Sequence, residues 1–184
     1  IAKQSQEDKD YSGLPLSGEV KYSKRFSGAT SKVTPNMRAK ILRDIVRYSR
    51  DKGVNVSGFV STEVNRYGVI TSNNAECLGE DTNSHLFLIT DKGEATGFAE
   101  EYNNDFSKIN HLRVAKIAVS KCLLSENPID LEPGEYTVIL EHAAVAEMIG
   151  FLSWVAFHTK NFYEDRSPLS GKLGEKVMGK NITL

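Results

Sequence analysis

His85-Leu86-Phe87-Leu88-Ile89-Thr90-Asp91-Lys92-Gly93-Glu94-Ala95-Thr96-Gly97-Phe98-Ala99-Glu100-Glu101-Tyr102 is the stretch that decides the fold. Residues 85–90 form a dense run of strand formers, Asp91-Lys92-Gly93 has turn chemistry, and residues 95–102 run back. A short glycine-containing loop between two such runs predicts an antiparallel hairpin. Upstream, residues 54–65 alternate loosely, Arg66-Tyr67-Gly68 reads as a turn, and residues 69–73 form another run. Four runs at this spacing predict a meander of hairpins and not βαβ units.

Helices flank the runs. Thr34 is placed to cap, Pro35 falls at the first helical position, and Gly53 supplies a stop, so a helix is expected over about 34–52. Its apolar stripe contains Met37, Ile41, Leu42, Ile45, Val46 and Tyr48, and its Arg and Lys residues read as a solvated face. A second helix is expected over 105–125, with Pro128 beyond it. Residues 136–141 read as a final strand. Residues 143–157 are apolar nearly all round, which predicts a deeply buried helix. The tail that follows is polar and broken at Pro168, Gly171, Gly174 and Gly179. The fold class is therefore α+β: an antiparallel meander packed against helices, with a final strand and a buried apolar helix.

Composition narrows the function classes. In 184 residues, 40% are apolar and 26% charged, which excludes a disordered chain, a collagen or a coiled-coil rod. Lys plus Arg number 23 against 24 Asp plus Glu, so the net charge of −1 argues against direct nucleic-acid binding. Two cysteines, Cys77 and Cys122, are too few for a disulfide framework and fit a reducing compartment. The apolar run at 143–157 contains Glu147 and Ser153 and falls short of the ~20 residues a membrane span needs. No targeting character is seen, and a cytoplasmic location is expected. The chain begins with Ile1 and ends in strand-like residues, so it is expected to be a piece of a longer protein.

The residues that could carry chemistry are scattered. His142 and His158 flank the apolar stretch and Glu147 lies inside it, at spacings of five and eleven residues that put them on no common helical face. His85 and His111 stand alone in a strand and a helix, and Cys77 and Cys122 lack a partner at metal-binding spacing. Ser170-Gly171-Lys172-Leu173-Gly174-Glu175-Lys176 lacks the phosphate-loop pattern and reads as a turn. No complete catalytic site appears.

Several blocks together resemble the TldD/PmbA family. They are Asp10-Tyr11-Ser12-Gly13-Leu14-Pro15, Ser72-Asn73-Asn74-Ala75, Tyr136-Thr137-Val138-Ile139-Leu140, Arg166-Ser167-Pro168-Leu169 and Gly171-Lys172-Leu173-Gly174-Glu175-Lys176-Val177. The family comprises proteins called modulators of DNA gyrase or peptide-maturation proteases. The resemblance implies a connector at 1–33, a helix–sheet–helix part of an N-terminal domain at 34–132, and a strand, helix and Gly-rich tail at 133–184 leading towards a C-terminal domain. In the catalytic branch the helix after the Val-Val-Leu strand carries His-Glu-x-x-x-His, which binds zinc together with a later cysteine. Counting from Val138-Ile139-Leu140 forward and from Gly174 back puts those positions on Gly150, Phe151 and Val155. None of the three can bind zinc or move a proton.

That departure implies the PmbA/TldE-like branch. The expectation is a non-catalytic subunit of a TldD/TldE-type metallopeptidase acting on peptides or unfolded segments. It would carry no cofactor, with zinc held only by a TldD-type partner. Its partners would be a TldD-like catalytic subunit, or itself by self-association, and a peptide substrate, with neither direct nucleic-acid nor membrane binding. The alternatives are a metallopeptidase active in its own right, with ligands elsewhere, and a modulator of DNA gyrase.

Overall fold

The computed structural model describes residues 11, 13, 14, 16 and 25–182. These fall into two compact units, within residues 1–130 and 131–184. Most of the expected connector, and the last two residues of the expected C-terminal strand, lie outside the described residues.

The first unit is built on three antiparallel strands in the order β1 (Asn55–Ile70), β2 (Glu76–Lys92), β3 (Ala95–Asn103). The β2–β3 hairpin is the expected one: Lys92 pairs with Ala95, and Gly93, at φ +63°, takes the left-handed position that a two-residue loop requires. The turn expected at Arg66-Tyr67-Gly68 is not there. β1 continues through it, paired with β2 as far as Ile70 opposite Glu76. Tyr67 pairs with Gly79 and its ring fills the space over that glycine, while the Leu78 side chain covers Gly68. A side chain across the strand thus protects each glycine. The reversal comes at 71–75, where Thr71 N–H donates to Ala75 O at 3.0 Å and Asn74 adopts φ +58°. Three long strands replace the four short runs.

Helices cover one face of this sheet. A short α1 (Gly28–Ser31) precedes α2 (Pro35–Asp51), whose start is the expected one: Thr34 Oγ1 accepts from Met37 N–H at 3.3 Å. Gly53, at φ +66°, ends it. The helix expected over 105–125 is two elements. Asp105 caps a single 3-10 turn at Phe106–Lys108, and Asn110 caps α3 (His111–Leu124) by accepting from Arg113 N–H at 3.0 Å. Two capping side chains five residues apart start two helical segments, not one.

From Thr82 to Thr90 burial along β2 alternates strictly, with Thr82, Ser84, Leu86, Leu88 and Thr90 inside. Leu86 and Leu88 pack with Ile45 of α2 and with Val114, Ala115 and Ala118 of α3. Each fully buried large aliphatic side chain contributes about 1.5–3 kcal/mol by removal from water. A hydroxyl network closes the end of the sheet. Thr30 Oγ1 donates to Asn104 O and accepts from Phe106 N–H, both at 2.8 Å, and Thr82 Oγ1 accepts from Ser27 N–H at 2.8 Å.

The second unit holds α4 (His142–Ala156) and α5 (Thr159–Tyr163). The strand expected at 136–141 is extended chain with no ladder partner among the described residues, and Ile139 is 96% exposed. The helix expected to be deeply buried is present, but Ala156 is its one buried residue; Met148, Phe151 and Trp154 are 61–72% exposed. Both differences have one cause. A strand needs a neighbour and an all-round apolar helix needs cover on every side, and unit two supplies contacts mainly at the C-terminal end of α4. Among the described residues no helix is long and apolar enough to cross a membrane.

Candidate functional site

The residues singled out by sequence on α4 occupy a regular helix. A Cβ placed on Gly150 would meet nothing within 4 Å, so that position opens to free space. Phe151 is 62% and Val155 46% exposed. At 100° per residue, positions 150 and 155 project about 140° apart around an α-helix. They are divergent in direction as well as devoid of ligand atoms.

The three nearby ionisable residues do not compensate. His142 is the first residue of α4, Glu147 lies exposed near its middle, and His158 is the N-cap residue of α5, where its side chain makes no capping hydrogen bond. Among the described residues no group of three or more His, Cys, Asp and Glu side chains could hold a common metal ion. The side chains at the three positions where the sequence resemblance expects zinc ligands therefore do not fit that ion.

The end of α4 is closed with polar contacts. Buried Ser167 donates to Ala156 O at 2.7 Å and accepts from Leu169 N–H at 3.0 Å, so one hydroxyl ties the helix end to the tail. Ser170 Oγ donates to Phe162 O at 2.9 Å. Together they shape an open, largely apolar groove of about 400 Å³ lined by Phe157, Phe162, Leu169, Leu173 and Val177. The Gly-Lys-Leu-Gly tail is thus a packed turn, with Gly171 and Gly174 at φ +73° and +82°.

In the first unit, His85 Nε2 lies 2.9 Å from Glu100 Oε2, on the sheet face away from the helices. His111 Nε2, buried at the start of α3, lies 3.6 Å from Asp44 Oδ2 of α2. Cys122 is buried, its thiol against Ala95 O at 3.5 Å, and Cys77 is half-buried on the ribbon. Sequence reasoning missed the company His85 keeps. Phe59, Phe87 and Tyr102 have ring centroids 5.1–6.2 Å from it. The signal was present as aromatic residues at alternate positions, but β2 carries apolar residues on both faces and the alternation is masked.

Comparison with known proteins bears on the whole chain. Residues 133–184 match the family model described as the PmbA/TldA metallopeptidase C-terminal domain. An uncharacterized protein of Methanocaldococcus jannaschii is 27% identical over 151 residues, 79% of this chain and 35% of the relative. The crystal structure of a candidate modulator of a DNA gyrase, from Thermotoga maritima, superposes with a TM-score of 0.79 at 17% identity, over 92% of this chain and 41% of that one. TldE from Thermococcus kodakarensis superposes with a TM-score of 0.64 at 18% identity, over 93% of this chain and 40% of that one. The chain thus spans between about a third and two-fifths of these relatives. Residues 133–184 thus match that family's C-terminal-domain model, and the fold of the chain is shared over nearly its full length with the two solved structures.

Proposed function

We propose that this chain is part of a non-catalytic, PmbA/TldE-like subunit of a TldD/TldE-type metallopeptidase that acts on peptides or unfolded segments. The observation that carries the reading is the identity of the side chains at the zinc positions. Gly150, Phe151 and Val155 offer no nitrogen, oxygen or sulfur ligand, and no other described cluster replaces them. Zinc would be held by a TldD-type catalytic partner, in the cytoplasm. The apolar surface of α4, with Met148, Phe151 and Trp154 outward, is consistent with a helix that packs against further protein.

Two measurements test this reading. The full-length protein, mixed with a TldD-type chain, should co-elute with it in size-exclusion chromatography; separate elution overturns the pairing. Purified alone, it should hold less than about a tenth of an equivalent of zinc after dialysis. Close to one equivalent would mean that ligands lie elsewhere in the longer protein and that it is an enzyme in its own right. The gyrase reading, carried by the name of the Thermotoga relative, draws no support from a net charge of −1.

A further inference from the structure

The helices fill one face of the sheet; the opposite face presents rings and carboxylates. Phe59 of β1 stacks on Phe87 of β2 (centroids 5.3 Å apart, planes 6° from parallel), and Phe87 meets Phe98 of β3 edge-on at 5.3 Å. His85 and Tyr102 extend the patch at 5.5 Å. Phe59 is 46% and Tyr102 61% exposed, which is unusual for rings packed side by side on a sheet. An antiparallel sheet with one solvated face ordinarily places polar residues there.

The charges on this face have one sign. Register places Glu63, Asp81, Asp91 and Glu100 on the same side as the rings. Asp81 accepts from Asn65 and Asn83, Asp91 accepts from Asn55, and Glu100 faces His85. Among the described residues none of the four is ion-paired with Lys or Arg. Three carboxylates elsewhere in the same unit do have such partners: Glu80 with Arg66, Glu101 with Arg113, Glu126 with Lys92. Arg25 stands at one end of the face, in the groove shared with Asp81 and Tyr102.

We infer that this face binds a Lys- and Arg-bearing, otherwise apolar peptide segment of another polypeptide. Aliphatic stems of Lys or Arg lie along aromatic rings while their cationic heads reach carboxylates at the margin, and a ring face itself attracts a cation. Such charge complementarity sets both the sign of the partner and the orientation in which it docks. This inference rests on the first unit alone and is independent of the zinc positions on α4.

The test uses the full-length protein and a short fluorescein-labelled peptide of alternating Lys and Leu, with a Glu/Leu peptide as control, read by fluorescence anisotropy. The Lys/Leu peptide should bind and the Glu/Leu peptide should not. Affinity should fall as salt is raised. Phe59→Ala with Phe98→Ala should weaken binding about tenfold or more, as loss of stacked cation contacts implies. Asp91→Asn with Glu100→Gln, which keep the shape, should flatten the salt dependence, whereas Glu175→Gln in the other unit should not. Equal binding of both peptides, or binding indifferent to all the face variants, overturns the inference. So does a Phe59→Ala protein whose oligomeric state changes, which would identify a second copy as the occupant.

Discussion

Gly97 of β3 lies directly beneath Ala118 of α3: a Cβ at 97 would overlap the Ala118 carbonyl oxygen and stand 2.8 Å from Thr90 Oγ1. The overlap is with helix backbone, which cannot swing aside as a side chain can. Gly97→Ala must therefore push α3 off the sheet, at the α3 face where Ala118 and Cys122 are wholly buried. Overpacking of this kind costs about 1–3 kcal/mol. Urea unfolding should show a lower midpoint with little change in slope; an unchanged midpoint would refute the close approach.

Thr90 occupies the same contact from below. Its fully buried hydroxyl lies 2.9 Å from Ala118 O and 3.2 Å from Gly97 O. Thr90→Val keeps the shape and removes the donor, leaving buried carbonyl oxygens with less to accept. A loss of about 1–3 kcal/mol is expected. Thr90→Ser restores the hydroxyl while deleting a methyl group, so it should recover the hydrogen-bond component in thermal or urea unfolding. If Thr90→Val were neutral, the hydroxyl would have no structural role.

The parts of the fold legible in the sequence are those set by neighbouring residues. Thr34, Pro35 and Gly53 bracket α2 because capping acts within one turn, and Gly93 marks the β2–β3 hairpin because its conformation is local. Arg66-Tyr67-Gly68 misleads because what keeps Gly68 in a strand is Leu78, ten residues away across the ladder. The α4 helix is legible as a helix, but all-round apolarity cannot reveal its cover, since that depends on other segments. At the candidate site, counting from flanking motifs named Gly150, Phe151 and Val155. Their divergence around the helix follows from their spacing of five, whereas the lattice of rings about His85 emerged only from three-dimensional placement.

Two exposed charged groups have folded-state pKa values displaced in opposite directions. Hydrogen bonds from the Ser107 hydroxyl and backbone N–H hold the Asp105 carboxyl below its ordinary 3.8. A folded-state value below the unfolded one means stability that is present above about pH 4 and lost as pH falls through the lowered value. The Lys92 ammonium is raised above 10.5 by its hydrogen bond and charge contact with Glu126, 2.7 Å away. Its contribution is present below 10.5 and lost as pH rises through the raised value. Asp105→Asn should flatten the acid limb and Lys92→Met the alkaline limb, each leaving the other unaltered, in unfolding midpoints recorded across pH. Since both groups are exposed, the changes should also shrink with added salt.

Gly150 bears on both the stability of α4 and the proposal that it carries no metal site. It lies inside the helix with open space where a Cβ would go, so Gly150→Ala should fit without strain. Replacing a mid-helix glycine by alanine should stabilise the helix by about 0.5–1 kcal/mol. Placing ligands there is a different matter. The combined Gly150→His, Phe151→Glu and Val155→His change installs the residue types that the resemblance expects at a catalytic site, but on this regular helix the two imidazoles would point about 140° apart. Titration of that variant of this chain with zinc should show no tight one-to-one uptake, whereas a pair of histidines four apart on one helix face, as in Phe151→His with Val155→His, should bind measurably. Tight uptake by the triple variant would mean that α4 readily departs from regular geometry, and that side-chain identity alone separates this chain from a metal-binding one.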